Sequence, residues 1–226
     1  MRRKLTKFAQ MATLGLALVF TFSCNLGVGG GCMPAALCSG GGEEYTGGSC
    51  DAADYGSVNI DGQIWMAKNW GCYVPGSWCY EHKDANCEKY GRLYDWSTAM
   101  GIDAKYNTNS WGGSDVKHKG ICPTGWHLPS DEDWDKLMNA VGGSSTAGRY
   151  LKTSDWGGEN KYHFSALPGG YVTDRSYKVG YNGGWWSASE NSGYYAYRRL
   201  MSYDDENVSY DNRAKSFLFS VRCLQD

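Results

Sequence analysis

The sequence predicts an α+β domain that is cross-linked by disulfides and preceded by an export signal. Three observations support this prediction: two segments with helical periodicity before residue 142, strand-like runs separated by turns after it, and nine cysteines. Strands that follow helices in blocks, without regular alternation, are typical of α+β domains. The 226 residues suffice for one domain of ordinary size with additional segments.

The first 23 residues are typical of a secretory signal. Four basic residues and no acid precede the apolar run LGLALVF, which is too short to span a bilayer. The following TFSC is similar to a bacterial lipobox, although Thr21 and Phe22 depart from the usual leucine and small residue. We therefore expect lipidation of Cys24 and an exported lipoprotein held at the outer membrane or cell surface.

Residues 24–54 are predicted to form a tether, and residues 55–226 the folded domain. Nine glycines lie between positions 25 and 50, and such a stretch buries too little surface to order itself. Cys32, Cys38 and Cys50 could close loops within this tether or join it to the domain through Cys72. The sequence leaves both alternatives open.

The cysteine count indicates disulfides formed in an oxidising compartment. With Cys24 assigned to lipid, eight cysteines remain for up to four bridges. They allow on the order of 100 connectivities, so the sequence alone does not define the pairs. Local spacing suggests a Cys79–Cys87 bridge across the loop-like stretch 73–87. The cysteines available for pairing are Cys32, Cys38, Cys50, Cys72, Cys79, Cys87, Cys122 and Cys223.

Local patterns in the first half predict a hairpin and one helix. Asp61-Gly62 lies between two strand-like runs and suits a tight turn. The stretch NCEKYGRLYDWSTAMG, residues 86–101, places apolar residues three or four positions apart, which predicts a single helix that ends at Gly101. Gly91 lies within this stretch and weakens the helix by about 1 kcal/mol relative to alanine.

A second helix is predicted over residues 131–141. Ser130 can cap its first turn, and three acidic residues favour the positive end of the helix dipole. Trp134 and Leu137 follow at helical spacing and should dock the helix, and Gly142-Gly143 should end it. Beyond this helix, four strand-like runs are YHFSALPGGYV, GGWWSASE, YYAYRRLMSYD and KSFLFSVRCLQD.

The charge of the chain argues against nucleic-acid binding. Without residues 1–23, which hold four of the 22 basic residues and no acid, 18 basic residues face 24 acidic ones, a net charge of −6. No basic patch of the kind that nucleic-acid binding requires is present. A zinc site is disfavoured because no CxxC pair occurs and the histidines are scattered.

Five motifs occur in the order of a known family. They are YGRLYDW, CPTGWHLPSDEDW, FSALPGGY, WWSASE and FSVRCL. This series resembles the FISUMP family, the Fibrobacter succinogenes major paralogous domain, over roughly residues 55–225. Members of that family are typically exported, often as lipoproteins, which agrees with the signal predicted here.

The family is in turn similar to formylglycine-generating and C-type-lectin-like domains. The corresponding stretches here are HLPSDEDW and SVRC. This resemblance implies a C-type-lectin-like α+β fold, with two helices flanking a twisted antiparallel sheet and with neighbouring termini. It also implies a Cys122–Cys223 bridge that closes the domain.

We expect a non-catalytic surface module that binds polysaccharide or a surface protein and requires no cofactor. The lipid anchor to the membrane, the glycine tether and the aromatic content favour this function, because aromatic faces stack on sugars and pack against proteins. We expect Trp126, Trp134, Trp185 and Trp186 to lie in the core or in loop packing. The loops supply six ligand-binding candidates, which are Tyr73, Trp78, Trp111, Trp156, Tyr181 and Tyr195.

An enzyme of the formylglycine-generating type is one alternative. Such an enzyme needs reactive thiols, whereas the resemblance assigns Cys122 and Cys223 to a structural bridge. His127 is expected to be a hydrogen-bonded structural residue, because the sequence identifies no nucleophile or partner acid beside it.

A calcium-dependent lectin is the second alternative. The lectin patterns Glu-Pro-Asn, Gln-Pro-Asp and Trp-Asn-Asp do not occur in the sequence. Four acidic residues nevertheless carry oxygens of the kind that Ca²⁺ binds, namely Glu190, Asp204, Asp205 and Glu206. No other metal site is expected.

Overall fold

A computed structural model describes residues 47–173 and 176–226, which lie in one compact unit. The predicted signal, the lipidation site Cys24, and Cys32 and Cys38 lie outside these residues. None of the described helices is long and apolar enough to cross a membrane.

The first sheet joins the beginning of the domain to its end. The predicted hairpin forms across Asp61 and Gly62, both with positive φ, and its second strand pairs with the last strand of the chain. All pairs are antiparallel, in the order β1-β2-β9-β3. The strands are β1 (Ser57–Ile60), β2 (Gln63–Met66), β3 (Trp126–His127) and β9 (Leu224–Gln225).

The single helix predicted over residues 86–101 is wrong. Two short helices occur instead, α1 (Asp84–Tyr90) and α2 (Trp96–Met100). Gly91 ends α1 with φ 78°, and Leu93 then pairs with Trp78 as an isolated β-bridge. The apolar spacing arose because both short helices and the connecting segment bury their apolar side chains in the core.

The predicted helix after Ser130 is confirmed as α3 (Asp131–Ala140). Ser130 and Asp133 form a capping box, in which each side chain accepts a hydrogen bond from the backbone N–H of the other residue. Trp134 and Leu137 are fully buried. Gly142 and Gly143 follow with positive φ, and a further helix, α4 (Ser144–Leu151), begins directly after them.

The second half of the chain forms antiparallel sheets, as expected. A three-stranded sheet has the order β6-β7-β8 and a two-stranded one the order β4-β5. Their bounds are β4 (Tyr171–Val172), β5 (Ser176–Tyr177), β6 (Asn182–Glu190), β7 (Tyr195–Ser202) and β8 (Ser209–Ala214). The α+β class is therefore correct, but the described residues contain four α-helices where two were expected, and residues 162–170 form no regular strand.

Three disulfides cross-link the described residues, one locally and two over longer stretches of chain. Cys79–Cys87 closes the local loop that its spacing suggested, and Cys122–Cys223 joins segments 101 residues apart. Cys50–Cys72 attaches the last part of the predicted tether to the domain, which is the second of the two alternatives above. The long Cys122–Cys223 loop makes that bridge the largest entropic constraint on the unfolded chain.

The interior contains aromatic rings together with six buried basic side chains. Trp134, Trp185 and Trp186 are fully buried, as predicted. Buried cations are uncommon unless they are paired or hydrogen-bonded, and each of these six side chains contacts backbone oxygens or side-chain acceptors. They are Arg92, Lys152, Arg198, Arg199, Lys215 and Arg222.

Candidate functional site

The aromatic residues proposed from the sequence lie in different parts of the fold. Trp78 precedes α1, whereas Tyr181 and Tyr195 lie at opposite ends of the three-stranded sheet, and all three are 38–47% exposed. Tyr73 and Trp111 are half-buried. The six candidates therefore do not form a single binding surface.

Trp156 is not a surface residue, which corrects the prediction for this position. Its side chain is 1% exposed, and its indole Nε1 donates a hydrogen bond to the carbonyl oxygen of Tyr181 at 3.1 Å. The polar sequence around it, TSDWGG, resembles a loop. The backbone does turn there, but the turn directs the ring into the hydrophobic core that also contains Trp134 and Trp185.

Glu190 has a structural partner, so it is not available for calcium. Its carboxylate accepts hydrogen bonds from the buried Lys215 ammonium and from the backbone N–H groups of Trp111 and Gly112. Burial alone would raise the pKa of Glu190, but the Lys215 hydrogen bond and the two N–H groups outweigh burial and lower it.

The other acidic candidates lie at the opposite end of β6 and β7 from Glu190. Asp204 accepts a hydrogen bond from the Tyr181 hydroxyl, and Asp205 accepts from Asn207. Among residues 47–173 and 176–226, no group of three or more His, Cys, Asp or Glu could hold a metal ion. The four oxygen donors, Glu206 included, therefore do not converge on one calcium site.

A cluster of tyrosines forms on one face of the three-stranded sheet. Alternate residues of a strand share a face, so Tyr195 and Tyr197 of β7 lie on the same side. The register pairs Tyr210 of β8 with Arg199, which puts Tyr210 on that side and diagonal to Tyr197. Tyr195 is 47% and Tyr210 54% exposed. The rings of Tyr197 and Tyr210 stack with centroids 5.0 Å apart. We call these three residues the tyrosine face.

Arg199 joins the tyrosine face to α3. Its guanidinium lies 4.4 Å from the centroid of the Tyr210 ring and bonds to Asp131 and Asp135 at 2.9 and 2.7 Å. The Tyr210 hydroxyl donates to the second oxygen of Asp131 at 3.1 Å. The ring of Tyr210 therefore contacts both a cation and a second ring, and these contacts restrict its orientation before any ligand arrives.

The polar groups around this stack have shifted pKa values. Burial raises the pKa of Asp131, and the charge of Arg199 only partly offsets that effect. Burial, the contact with Tyr197 and the charge of Asp131 raise the pKa of Tyr210. Tyr210 therefore stays protonated at neutral pH and continues to donate its hydrogen bond.

Hydrogen-bonding side chains border the tyrosine face. The amide of Asn191 donates to the Tyr197 hydroxyl at 2.7 Å. Ser189 donates to Asp115 and accepts from the backbone N–H of Asp131 at 2.9 Å. Aromatic rings next to carboxylate, amide and hydroxyl groups can contact both the apolar faces and the hydroxyl groups of a sugar.

His127 lies between two carboxylates, which are acid partners that the sequence did not identify. It is 2% exposed, its Nδ1 is 2.8 Å from Asp226, and its Nε2 is 3.5 Å from Asp133. Burial would raise the pKa of Asp133, but the nearby His127 ring and the hydrogen bonds from Ser130 lower it. Ser130, three positions after His127, donates its hydroxyl proton to Asp133 and serves the helix cap.

A separate open cleft of about 340 Å³ lies beside α1. Lys68, Glu88 and Lys89 line it together with Tyr90. Its lining mixes both charge signs around two tyrosines, Tyr55 and Tyr90, and it does not include the tyrosine face.

Only one member of the tyrosine face, Tyr195, was predicted from the sequence as a ligand-binding residue. Tyr197 and Tyr210 were not. The run YYAYRRLMSYD contains the necessary signal, because Tyr195 and Tyr197 are separated by two positions. The pairing with Tyr210 had no local signal, since β7 and β8 are joined by a turn whose register the sequence does not show.

These observations define a disulfide-linked α+β domain that carries an exposed tyrosine cluster and three bridged cysteine pairs. The family model described as Fibrobacter succinogenes major domain matches residues 58–225, and the chain belongs to this family. None of the curated proteins and none of the solved structures compared with the chain matches it. The family description names no activity.

Proposed function

We propose that the domain is a non-catalytic module that binds polysaccharide through the tyrosine face. The observation that carries this proposal is the stack of Tyr197 and Tyr210, held in place by Arg199 and partly open to solvent. Rings fixed on a rigid sheet contribute contact area at little entropic cost. Asn191 and Asp131 supply hydrogen-bonding groups for sugar hydroxyls.

The paired cysteines support a non-catalytic function. Cys122 and Cys223 are joined to each other, so neither is a free thiol that could react as a nucleophile. A formylglycine-generating activity would need such a thiol. Alkylation of Cys122 in the native protein would revive the enzymatic alternative.

We also propose that the fold is C-type-lectin-like and that the protein is an exported lipoprotein anchored at the outer membrane or cell surface. Pairing of β2 with β9 brings both ends of the domain together, and three disulfides suit an oxidising compartment. Mass spectrometry of protein isolated from its own cells tests the second statement. Acylation should be found on Cys24, and a chain that begins at Met1 with reduced thiols would refute it.

Affinity electrophoresis in gels that contain polysaccharide tests the binding function. The double substitution Tyr195→Ala and Tyr197→Ala should weaken the affinity for the polysaccharide about tenfold, because each ring contact contributes about 0.5–1.5 kcal/mol. The weaker affinity is measured as reduced retardation in the gel. Tyr203→Ala is the matched control. Tyr203 is 54% exposed but lies beyond the opposite end of β7, so its loss should leave binding unchanged.

Two outcomes would contradict the proposal. Equal losses in the double variant and in Tyr203→Ala would show that the tyrosine face is not the binding surface. If the domain binds a surface protein and no polysaccharide slows its migration, its ligand is a protein and not a polysaccharide.

A further inference from the structure

In the described domain several basic side chains are buried, whereas the acidic side chains remain at the surface. The described residues contain 17 Lys and Arg and 21 Asp and Glu. Six of the basic side chains are buried and none of the acidic ones is, which leaves 11 basic residues against 21 acidic ones in contact with solvent. The surface is therefore more acidic than the net charge of the chain suggests.

Backbone oxygens replace solvent around several buried cations. The Lys152 ammonium bonds to the carbonyl oxygens of Ser202 and Asp205 at 2.7 and 2.8 Å. The Arg222 guanidinium bonds to those of Met66 and Phe164 at 3.0 and 2.6 Å. Because these acceptors are uncharged, these two cations use no surface carboxylate as a direct hydrogen-bond partner.

Several carboxylates lie near the tyrosine face. Asp131 and Asp135 share the single guanidinium of Arg199, and the side chain of Asp135 is 69% exposed. Asp115 approaches from the loop through Ser189. A polymer that lies across the tyrosines would therefore pass close to several negative charges.

We propose, on the basis of the binding function above, that the tyrosine face selects neutral polysaccharides and excludes polyanionic ones. The rings contact apolar faces that neutral and acidic sugars share, so they do not discriminate between the two classes. The surrounding carboxylates do discriminate, because like charges repel at the distances that a bound chain would require.

Two pairs of polymers with matched backbones isolate the effect of charge. Hydroxyethyl cellulose is compared with carboxymethyl cellulose, and methyl-esterified pectin with polygalacturonate, by affinity electrophoresis of the intact domain. Arabinoxylan, glucomannan and soluble starch extend the neutral panel. Each polymer is tested at about 0.01 M and about 0.1 M salt, between which the screening length falls from about 30 Å to about 10 Å.

In every pair of which either member binds, the neutral polymer should bind about tenfold or more tightly than its acidic counterpart at low salt, and the ratio should shrink at the higher salt. An acidic polymer that binds as tightly as its neutral counterpart at low salt overturns the selectivity while leaving the binding function intact. If no polymer in the panel retards the domain, the binding function itself fails, and the selectivity fails with it.

Discussion

Replacing Lys215 by methionine should destabilise the domain strongly. The Lys215 ammonium is fully buried and donates hydrogen bonds to Glu190 and to the carbonyl oxygens of Tyr106, Asn109 and Gly193. It also lies 4.5 Å from the centroid of the Trp96 ring. One side chain thus connects the loop before Trp111, the β6–β7 turn and the core.

The expected loss follows from the groups that methionine would leave unpaired. Removal of one member of a buried ion pair costs about 3–5 kcal/mol. The Trp111 and Gly112 N–H groups would still bind the Glu190 carboxylate and would offset part of that cost. For a domain of this size, such a loss lowers the melting temperature by about 6–20 °C. Differential scanning calorimetry under non-oxidising, non-reducing conditions measures it.

Lys136→Met is the matched control for this substitution. Lys136 forms a surface pair with Glu132 and is 57% exposed, so its loss should change stability by less than about 0.5 kcal/mol. A loss below about 1 kcal/mol for Lys215→Met would refute the reasoning. If that variant does not fold at all, the acid titration described next tests the same ion pair in a milder variant.

The pH dependence follows from the lowered pKa of Glu190. A carboxyl group whose folded-state pKa lies below its ordinary value of 4.5 stabilises the fold above that value, and this stability is lost as pH falls through the folded-state pKa. Glu190→Gln should therefore reduce stability at neutral pH and flatten its decline below pH 4.5. Urea unfolding at several pH values measures both effects, and an unchanged acid limb would contradict the assignment.

Three further predictions concern the fold. Replacing both Cys122 and Cys223 by serine should lower the free energy of unfolding by about 4.7 kcal/mol in urea titrations, because the bridge closes a loop of about 100 residues. Ser130→Ala should cost about 1 kcal/mol in thermal unfolding, since it removes the α3 cap. Gly91→Ala should cost more than Gly62→Ala in the same assay. Both glycines have positive φ, but a Cβ at Gly91 would lie 2.8 Å from the Cβ of Asn69, whereas nothing lies within 4 Å at Gly62.

The buried cations explain why composition alone was a poor guide to the surface. Arg198 and Arg199 are consecutive in a strand, so their side chains point to opposite faces, and both faces are covered at that point. Arg198 contacts Asp211 of the neighbouring strand, and Arg199 contacts α3. From the sequence alone, two consecutive arginines would be expected to lie at the surface in contact with solvent.

Local chemistry was sufficient for the parts of the fold in which neighbours in sequence are partners in space. The α3 cap at Ser130, the Asp61-Gly62 turn and the Cys79–Cys87 bridge each depend on residues within ten positions of one another. The sequence by itself also determined family membership, because the order of five motifs is a property of the chain and not of its packing.

Tertiary structure decided the features that depend on distant partners. Gly91 ended a helix that periodicity would have continued, because Leu93 pairs with Trp78 there. Trp156 is buried in the core, where its indole N–H donates a hydrogen bond to the carbonyl oxygen of Tyr181, 25 residues away. The tyrosine face exists because strand register sets Tyr210 beside Tyr197. Register and burial arise from contacts between distant segments, and no local pattern in a single sequence records which segments will meet.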